Sequence, residues 1–543
     1  MKSMSFLSSI KNRIEILFTS VPLFLSFVFG ILISWIFKNN LTLVFLRGKS
    51  FSGRSLFYQL GIFLFYTLIF TILLFVLFFI IQKILSKKPQ KVIKKLNNLY
   101  NNSKQDDEQR IFTALLVLGV GFACVFLINN ILSTINITNW SYVKPEVVPG
   151  MSPVGFDFRI GSYETAFNLV ESNYKQIRAD GSYSSIYPPF VAITNIPYLL
   201  FNENTAYLWH IGLLFLANFV CMALVSLMVK EFILSNLGWE KTYITAIVTF
   251  LFFTLLIYTS SSYSFIFSVE RGNADIFAIL FALLAVWSLL KKPDSIWLQV
   301  ILLSVATHLK IYPAVLFLLL LMKHGKKLIL PAVTLNLFFL FILGPKMALS
   351  FLQTLTSGSG VGAGIGNKWT WVGNHSAYSF ADTLALGSAN YSSNLYVLWG
   401  IFTLIPILLW GIASIKLINK EYSPQKAILF LMVSILLMDL IPTVSMDYKL
   451  VILSPAALLL IAYIIKQTML KPGLLGYFQL AVVITILLFI GRPYTMSEFD
   501  PYGLKSSASY FINNKYLWSL ALEFVIVWNI FSVYNPKNFI KPK

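Results

Sequence analysis

Six short segments carry side chains able to do polar chemistry in a chain that is otherwise mostly apolar. Gly155-Phe156-Asp157-Phe158-Arg159 offers a carboxylate, Asp157, of the kind that takes a proton from a hydroxyl as it attacks. Val269-Glu270-Arg271-Gly272-Asn273-Ala274-Asp275 sets Glu270 beside Arg271 and follows them with Asn273 and Asp275. A guanidinium is the usual bidentate partner of a phosphate, and Gly272 lets a ligand come close to the backbone. His308 and Lys310 stand in His308-Leu309-Lys310-Ile311-Tyr312-Pro313, where a cation can offset phosphate charge or simply snorkel to an interface. Gly373-Asn374-His375-Ser376, preceded by Trp369 and Trp371, joins amide, imidazole and aromatic groups. Such a set suits a sugar ring, and it also suits an interfacial aromatic belt. Ser445-Met446-Asp447-Tyr448-Lys449 adds Asp447 and Tyr448, with an Asp447–Lys449 ion pair as the plain alternative. Tyr187-Pro188-Pro189, with Tyr183 before it, reads as a helix start that supports the rest, because Pro suits the first turn.

The background explains why these groups need a reason to be there. Of 543 residues, 57% are hydrophobic and 12% charged, and the mean hydropathy is +0.75. A water-soluble chain runs nearer about 45–50% apolar and about 25% charged, so this one has too few polar side chains to cover a water-facing surface. Aromatics reach 16%, led by 48 Phe, as lipid-facing helices and interfacial belts require. Lys and Arg exceed Asp and Glu by 42 to 22, a net charge of +20. The basic residues cluster in short loops between apolar runs, which marks topology and anionic lipid and excludes nucleic acid as a partner. Cys124 and Cys221 both lie inside apolar runs and read as inert packing residues, with neither a disulfide framework nor a metal cluster available.

Apolar runs fall at 16–37, 57–82, 111–132, 204–229, 243–260, 273–290, 295–309, 311–322, 327–350, 394–419, 426–443, 448–466, 475–491 and 517–534. A helix needs about 20 residues to cross a bilayer, so the fold class expected is an all-α polytopic membrane protein with about 12–14 crossing helices. The short runs 295–309 and 311–322 meet at the polar, Pro-containing break 308–313, as helices lining a cavity do. The first run is long and lacks a small-residue cleavage site, so it is expected to stay as an anchor. No fixed-period repeat and no soluble domain is evident. Lys-rich loops at 83–110, 291–292, 323–327, 416–426 and 466–471 and the C-terminal Lys537, Lys541 and Lys543 predict a cytoplasmic side. The basic segment 38–55 then falls on the wrong side. The long loops 133–203, 261–272, 351–393 and 492–516, and with them the polar segments, belong to the opposite face. Residues 1–110 read as an accessory pair of spans with a basic linker, and 111–543 as one membrane module whose large first outer loop carries amphipathic helices.

Five separated segments thus bring Asp, Arg, Asn, His, Lys and Tyr to one side of the membrane beside apolar walls, complementary to an anionic phosphate, sugar hydroxyls and a lipid tail. The order of Asp157, Tyr187-Pro188-Pro189, Arg271-Gly272-Asn273, Lys310-Ile311-Tyr312-Pro313, Gly373-Asn374-His375-Ser376 and Ser445-Met446-Asp447-Tyr448 resembles glycosyltransferase family 87. That family belongs to the C-type (GT-C) membrane glycosyltransferases, and the likeness covers roughly 140–470. The resemblance implies a GT-C-like fold and transfer of a hexose, mannose-like, from a polyprenyl-phosphate donor to a glycan or glycolipid acceptor. It also implies inversion at the anomeric carbon, a plasma-membrane site on the non-cytoplasmic face, and a general base at Asp157. Arg271, Lys310 and His308 are the expected phosphate ligands. Glu270, Asn273, Asn374, His375, Asp447, Tyr448 and Tyr187 are the expected sugar or acceptor ligands. The chain has Asp447-Tyr448 where the family often has a His, which leaves His375 and His308 as the nearby imidazoles.

No cofactor is implied, and the dispersed carboxylates do not demand a metal, although a divalent ion is compatible with them. No Gly-x-x-x-x-Gly-Lys-Ser/Thr loop is present, as suits a donor that arrives in the membrane. Two other classes fit less well. A lipid-linked-glycan flippase or exporter would need a cationic path through the bilayer, whereas the cations here sit mostly in loops. A ligase or polymerase would take a lipid-pyrophosphate donor, and competition by monophosphate against pyrophosphate carriers separates it.

Overall fold

The computed structural model describes parts of 114–125 and then 155–166, 188–235, 241–356, 373–385, 391–418, 422–442, 444–470, 474–492 and 514–533, with single residues omitted. All of these lie in the compact unit Arg110–Lys543. The accessory pair expected in 1–110, Tyr183, Tyr187, Trp369 and Trp371 lie outside the described residues.

Among the described residues the chain is helical and has no strand. The principal helices are α1 (Pro189–Asn195), α2 (Glu203–Met228), α3 (Lys241–Ser261), α4 (Tyr263–Arg271), α5 (Asp275–Lys291), α6 (Ile296–Leu309), α7 (Phe317–His324), α8 (Ile329–Phe341), α9 (Pro345–Thr356), α10 (Ala377–Ala385), α11 (Tyr391–Ile418), α12 (Pro424–Leu440), α13 (Leu453–Leu470), α14 (Leu474–Gly491) and α15 (Lys515–Val533). From residue 203 on, the expected apolar runs fall on these helices within a few residues. Among the described residues, four segments are long and apolar enough to cross a membrane: Glu203–Leu234, Ile244–Ser261, Tyr391–Ile418 and Asp447–Leu470. A fifth forms if α4 and α5, bent by 112° at their junction, count as one broken span. The protein is therefore a multi-pass, all-α membrane protein.

The ends of these helices are written in local chemistry. Asn202 caps α2 by accepting from the Thr205 amide at 2.9 Å, and Ser262 caps α4 through the Phe265 amide. Ser423 caps α12, with Pro424 in its first turn. These residues use side-chain oxygens for amides that have no intrahelical partner. Helix α4 stops at Gly272, whose φ of 68° is left-handed and returns its amide to Ser268 and Val269. Helix α6 stops at Leu309, Lys310 is extended, and a 3₁₀ turn over Tyr312–Leu316 follows. The expected break is therefore a real one.

Packing is deepest around α12 and α13. Every residue from Lys426 to Leu440 is buried, as is every residue from Leu453 to Ile465. By contrast α11 shows one face outward, including Val397, Leu404, Leu408 and Ile415. In lipid, exclusion of apolar surface from water does not drive helix association, so close packing must do it. Cys221 lies in the core and Cys124 is exposed, both as free thiols. Truncating Leu459, fully buried in α13, to Ala should cost about 2 kcal/mol or more through lost contacts. Leu408→Ala, on the outward face of α11, should cost next to nothing, and thermal unfolding of the two variants in one detergent measures the contrast.

Candidate functional site

The site begins where α4 turns into α5. Gly272 makes that turn possible: besides its positive φ, a Cβ there would lie 2.5 Å from the Cβ of Phe158. The turn presents Arg271 toward a second segment, in which Gly155 (φ 70°) leads into a helical stretch over Phe156–Phe158 and Arg159–Tyr163. The Gly155 amide donates to the carbonyl of Glu270 at 2.7 Å, tying the two segments together. Across this junction Arg271 Nη2 lies 2.5 Å from Asp157 Oδ1, and the two side chains are 8% and 14% exposed. The Asn273 side-chain Nδ2 donates to the other carboxylate oxygen at 3.3 Å. The expected base and the expected phosphate ligand are thus partners of one another. A charge-assisted contact of this kind fixes both groups.

From Asn273 the network runs on. Its side-chain oxygen accepts from the Asp275 amide at 2.9 Å. The Asp275 carboxylate accepts from Tyr312 Oη at 2.8 Å and faces Lys310 Nζ at 3.6 Å. Over the Tyr312 ring, 4.6 Å from its centre, sits the ammonium of Lys449. This buried cation donates to the carbonyl of Met438 at 2.6 Å and to Ser445 Oγ at 3.2 Å. The break after α6 therefore brings Lys310 and Tyr312 to the start of α5, while the turn before α13 brings Lys449 to the same place.

A third group completes the arrangement. Segments 373–376 and 445–447 clasp each other: the His375 amide donates to Ser445 O at 2.8 Å and the Asp447 amide to Gly373 O at 2.7 Å. Asn374 and Met446 pair as an isolated bridge. The Asn374 side chain accepts from the amides of Ser376 and Ser445, both at 3.1 Å. Inside this clasp, fully buried, His375 Nδ1 lies 2.9 Å from Asp447 and Nε2 lies 3.0 Å from Asp439 at the end of α12. Both ring nitrogens face carboxylates, so the ring is an imidazolium. Burial alone would lower its pKa, but Asp439 and Asp447 outweigh burial and hold it up at about 9.

The structure thus gathers Asp157, Arg271, Asn273, Lys310, Asn374, His375 and Asp447 into one connected set, with Tyr448 against Phe267 of α4 at 5.5 Å between ring centres. His375, Asn374 and Asp447 are fully buried and bonded to one another's segments. Asp447 pairs with His375 and not with Lys449. His308 is set apart: its ring lies 5.5 Å from that of Phe339 on α8. Glu270 joins through its backbone carbonyl. Asp275 and Asp439 complete the network although neither was among the expected ligands, and a lone carboxylate in an otherwise apolar run was the signal for Asp439. No group of three or more His, Cys, Asp or Glu side chains able to hold a metal occurs among the described residues.

Residues 186–445 match the family model described as Glycosyltransferase family 87. Those residues carry a domain of that family, and the chain is a membrane glycosyltransferase. No curated protein and no solved structure matches the chain significantly. Asp157 lies before the matched stretch, and Arg271 and Asn273, which hold it, lie within it.

Two outcomes follow from this geometry. Gly272→Ala combines a left-handed backbone with a steric clash, so it should cost about 1–3 kcal/mol and reduce transfer. Unfolding temperature together with activity checks this. His375 is held protonated up to about pH 9, against an ordinary value of 6.5, so its contribution is whole below pH 6.5 and is lost as pH rises through 9. The unfolding temperature should fall over that window, and His375→Gln should be the less stable protein at pH 6 with a flatter profile.

Proposed function

We propose that this glycosyltransferase family 87 domain, with Asp157 held against it, transfers a mannose-like hexose from a polyprenyl-phosphate donor to a glycan or glycolipid acceptor. The observation that carries the reading is the Asp157–Arg271 contact at 2.5 Å, which sets a proton acceptor beside a phosphate-binding cation. In the reaction the acceptor oxygen attacks the anomeric carbon from the face opposite the phosphate. The new C–O bond forms as the bond to the carrier's phosphate oxygen breaks, and that oxygen keeps the electron pair. The hydroxyl proton goes to Asp157, and the anomeric configuration inverts. Arg271 and Lys310 are the cations we assign to the charge that develops on the leaving phosphate. No step requires a nucleotide or a metal.

Sidedness follows from opposite helix ends. The network draws on the N-terminal ends of α5 and α10, the C-terminal ends of α4, α6 and α12, and the turn before α13. Lys291 ends α5, Lys416 lies in the last turn of α11, and Lys426 begins α12. Basic residues favour the cytoplasmic side, which supports the reading that the site lies on the non-cytoplasmic face of the plasma membrane. We read 111–543 as the transferase module and 1–110 as its accessory.

Membranes containing the protein, given radiolabelled polyprenyl-phosphate-mannose and a lipid and glycan extract, should form a labelled product. Asp157→Asn should reach the membrane and lose about 10²–10⁴-fold in rate, and full activity in that variant would overturn the assignment of the base. Arg271→Lys, which keeps the charge but not the fork, should raise the KM for the donor.

A further inference from the structure

The residues that hold Asp157 and Arg271 face to face lie on a helix to which no role is assigned. Tyr207 and His210 are three apart near the start of α2, hence on one face. Tyr207 Oη donates to the carbonyls of Val269 and Glu270, at 2.8 and 2.9 Å. His210 Nε2 lies 3.0 Å from the carbonyl of Gly272. These are carbonyls of the last turn of α4 and of its glycine cap, whose oxygens lack the usual helical partners. Arg271 therefore sits in a stretch of backbone whose neighbours on both sides are fixed by one face of α2.

The same face fixes the opposing segment. The ring of Phe158, next to Asp157, lies 4.8 Å from the His210 ring and 5.7 Å from the Tyr207 ring, and 5.1 Å from Tyr198. The partners assign the imidazole's tautomer. Because Gly272 O can only accept, Nε2 carries the proton; Nδ1 then accepts from Tyr198 Oη at 2.8 Å. The ring is neutral, fully buried, and has both nitrogens used.

We propose that Tyr207 and His210 are positioning residues for transfer: they form a template that sets the Asp157 carboxylate against the Arg271 guanidinium. Neither touches the reacting atoms. They act through the backbone of 269–272 and through Phe158. A displacement of about 1 Å at such a pair can cost on the order of 10²-fold in rate. This rests on the reading of Asp157 as base.

The test measures transfer kinetics for His210→Phe, His210→Gln, Tyr207→Phe and Tyr198→Phe, with Asp157→Asn alongside. His210→Phe keeps the ring against Phe158 but loses the donor to Gly272. It should lower kcat about tenfold or more, with KM for donor and acceptor and the unfolding temperature little changed. His210→Gln, whose side-chain amide can reach the same carbonyl, should restore most of kcat. Tyr207→Phe should lower kcat in the same manner, and Tyr198→Phe, which frees the tautomer, by a few-fold. Wild-type kcat in His210→Phe and Tyr207→Phe overturns the proposal, as does a Gln variant no better than Phe. Should His210→Phe fail to reach the membrane, Tyr207→Phe and Tyr198→Phe decide by the same criterion. Full activity in Asp157→Asn would instead overturn the base assignment and leave the template without its object.

Discussion

Everything at this site depends on charge being carried where water is scarce. An ion at membrane depth is tolerated only when it is paired or bonded, and the protein meets that condition by chaining its ions together. Asp157 has Arg271, Asp275 has Lys310 and Tyr312, and His375 has Asp439 and Asp447. Lys449 closes the gaps with two buried oxygens and an aromatic face. Such pairs do little for net stability, because desolvation offsets attraction, but removing one partner leaves the other exposed to that cost. The network therefore holds as a unit, and it fixes where six helix ends meet.

Two backbone devices let those ends meet. The left-handed Gly272 turns the chain by 112° between α4 and α5, which puts Arg271, Asn273 and Asp275 at a bend where a straight span would have scattered them along a helix. The extended Lys310 breaks α6 from the turn that follows, so that Lys310 and Tyr312 address Asp275 together. Irregular backbone inside a bundle leaves amides and carbonyls to satisfy, and here Tyr207, His210 and Asn273 satisfy several of them.

The helices were legible because an apolar run of bilayer length leaves little choice of structure, and the break at 308–313 showed in its Pro and its polar residues. The segments of the site were legible for a related reason, since each is a polar interruption in such a run. Their pairing was not. Asp157 and Arg271 are 114 residues apart, His375 and Asp439 are 64 apart, and no local pattern encodes which interruption meets which. Asp447 looked like the partner of Lys449 because they are neighbours in sequence, yet it turns into the clasp to meet His375. His210 gave no signal beyond being an imidazole in an apolar helix, and its role rests on two carbonyl and hydroxyl partners that only the fold brings to it.

The network also has an electrical property. Its carboxylates at Asp157, Asp275, Asp439 and Asp447 are matched by Arg271, Lys310, Lys449 and the His375 imidazolium, so as a body it carries no net charge. The voltage across a membrane acts on net charge, at about 2.3 kcal/mol per elementary charge per 100 mV. An energised membrane therefore exerts no net pull on these eight groups taken together.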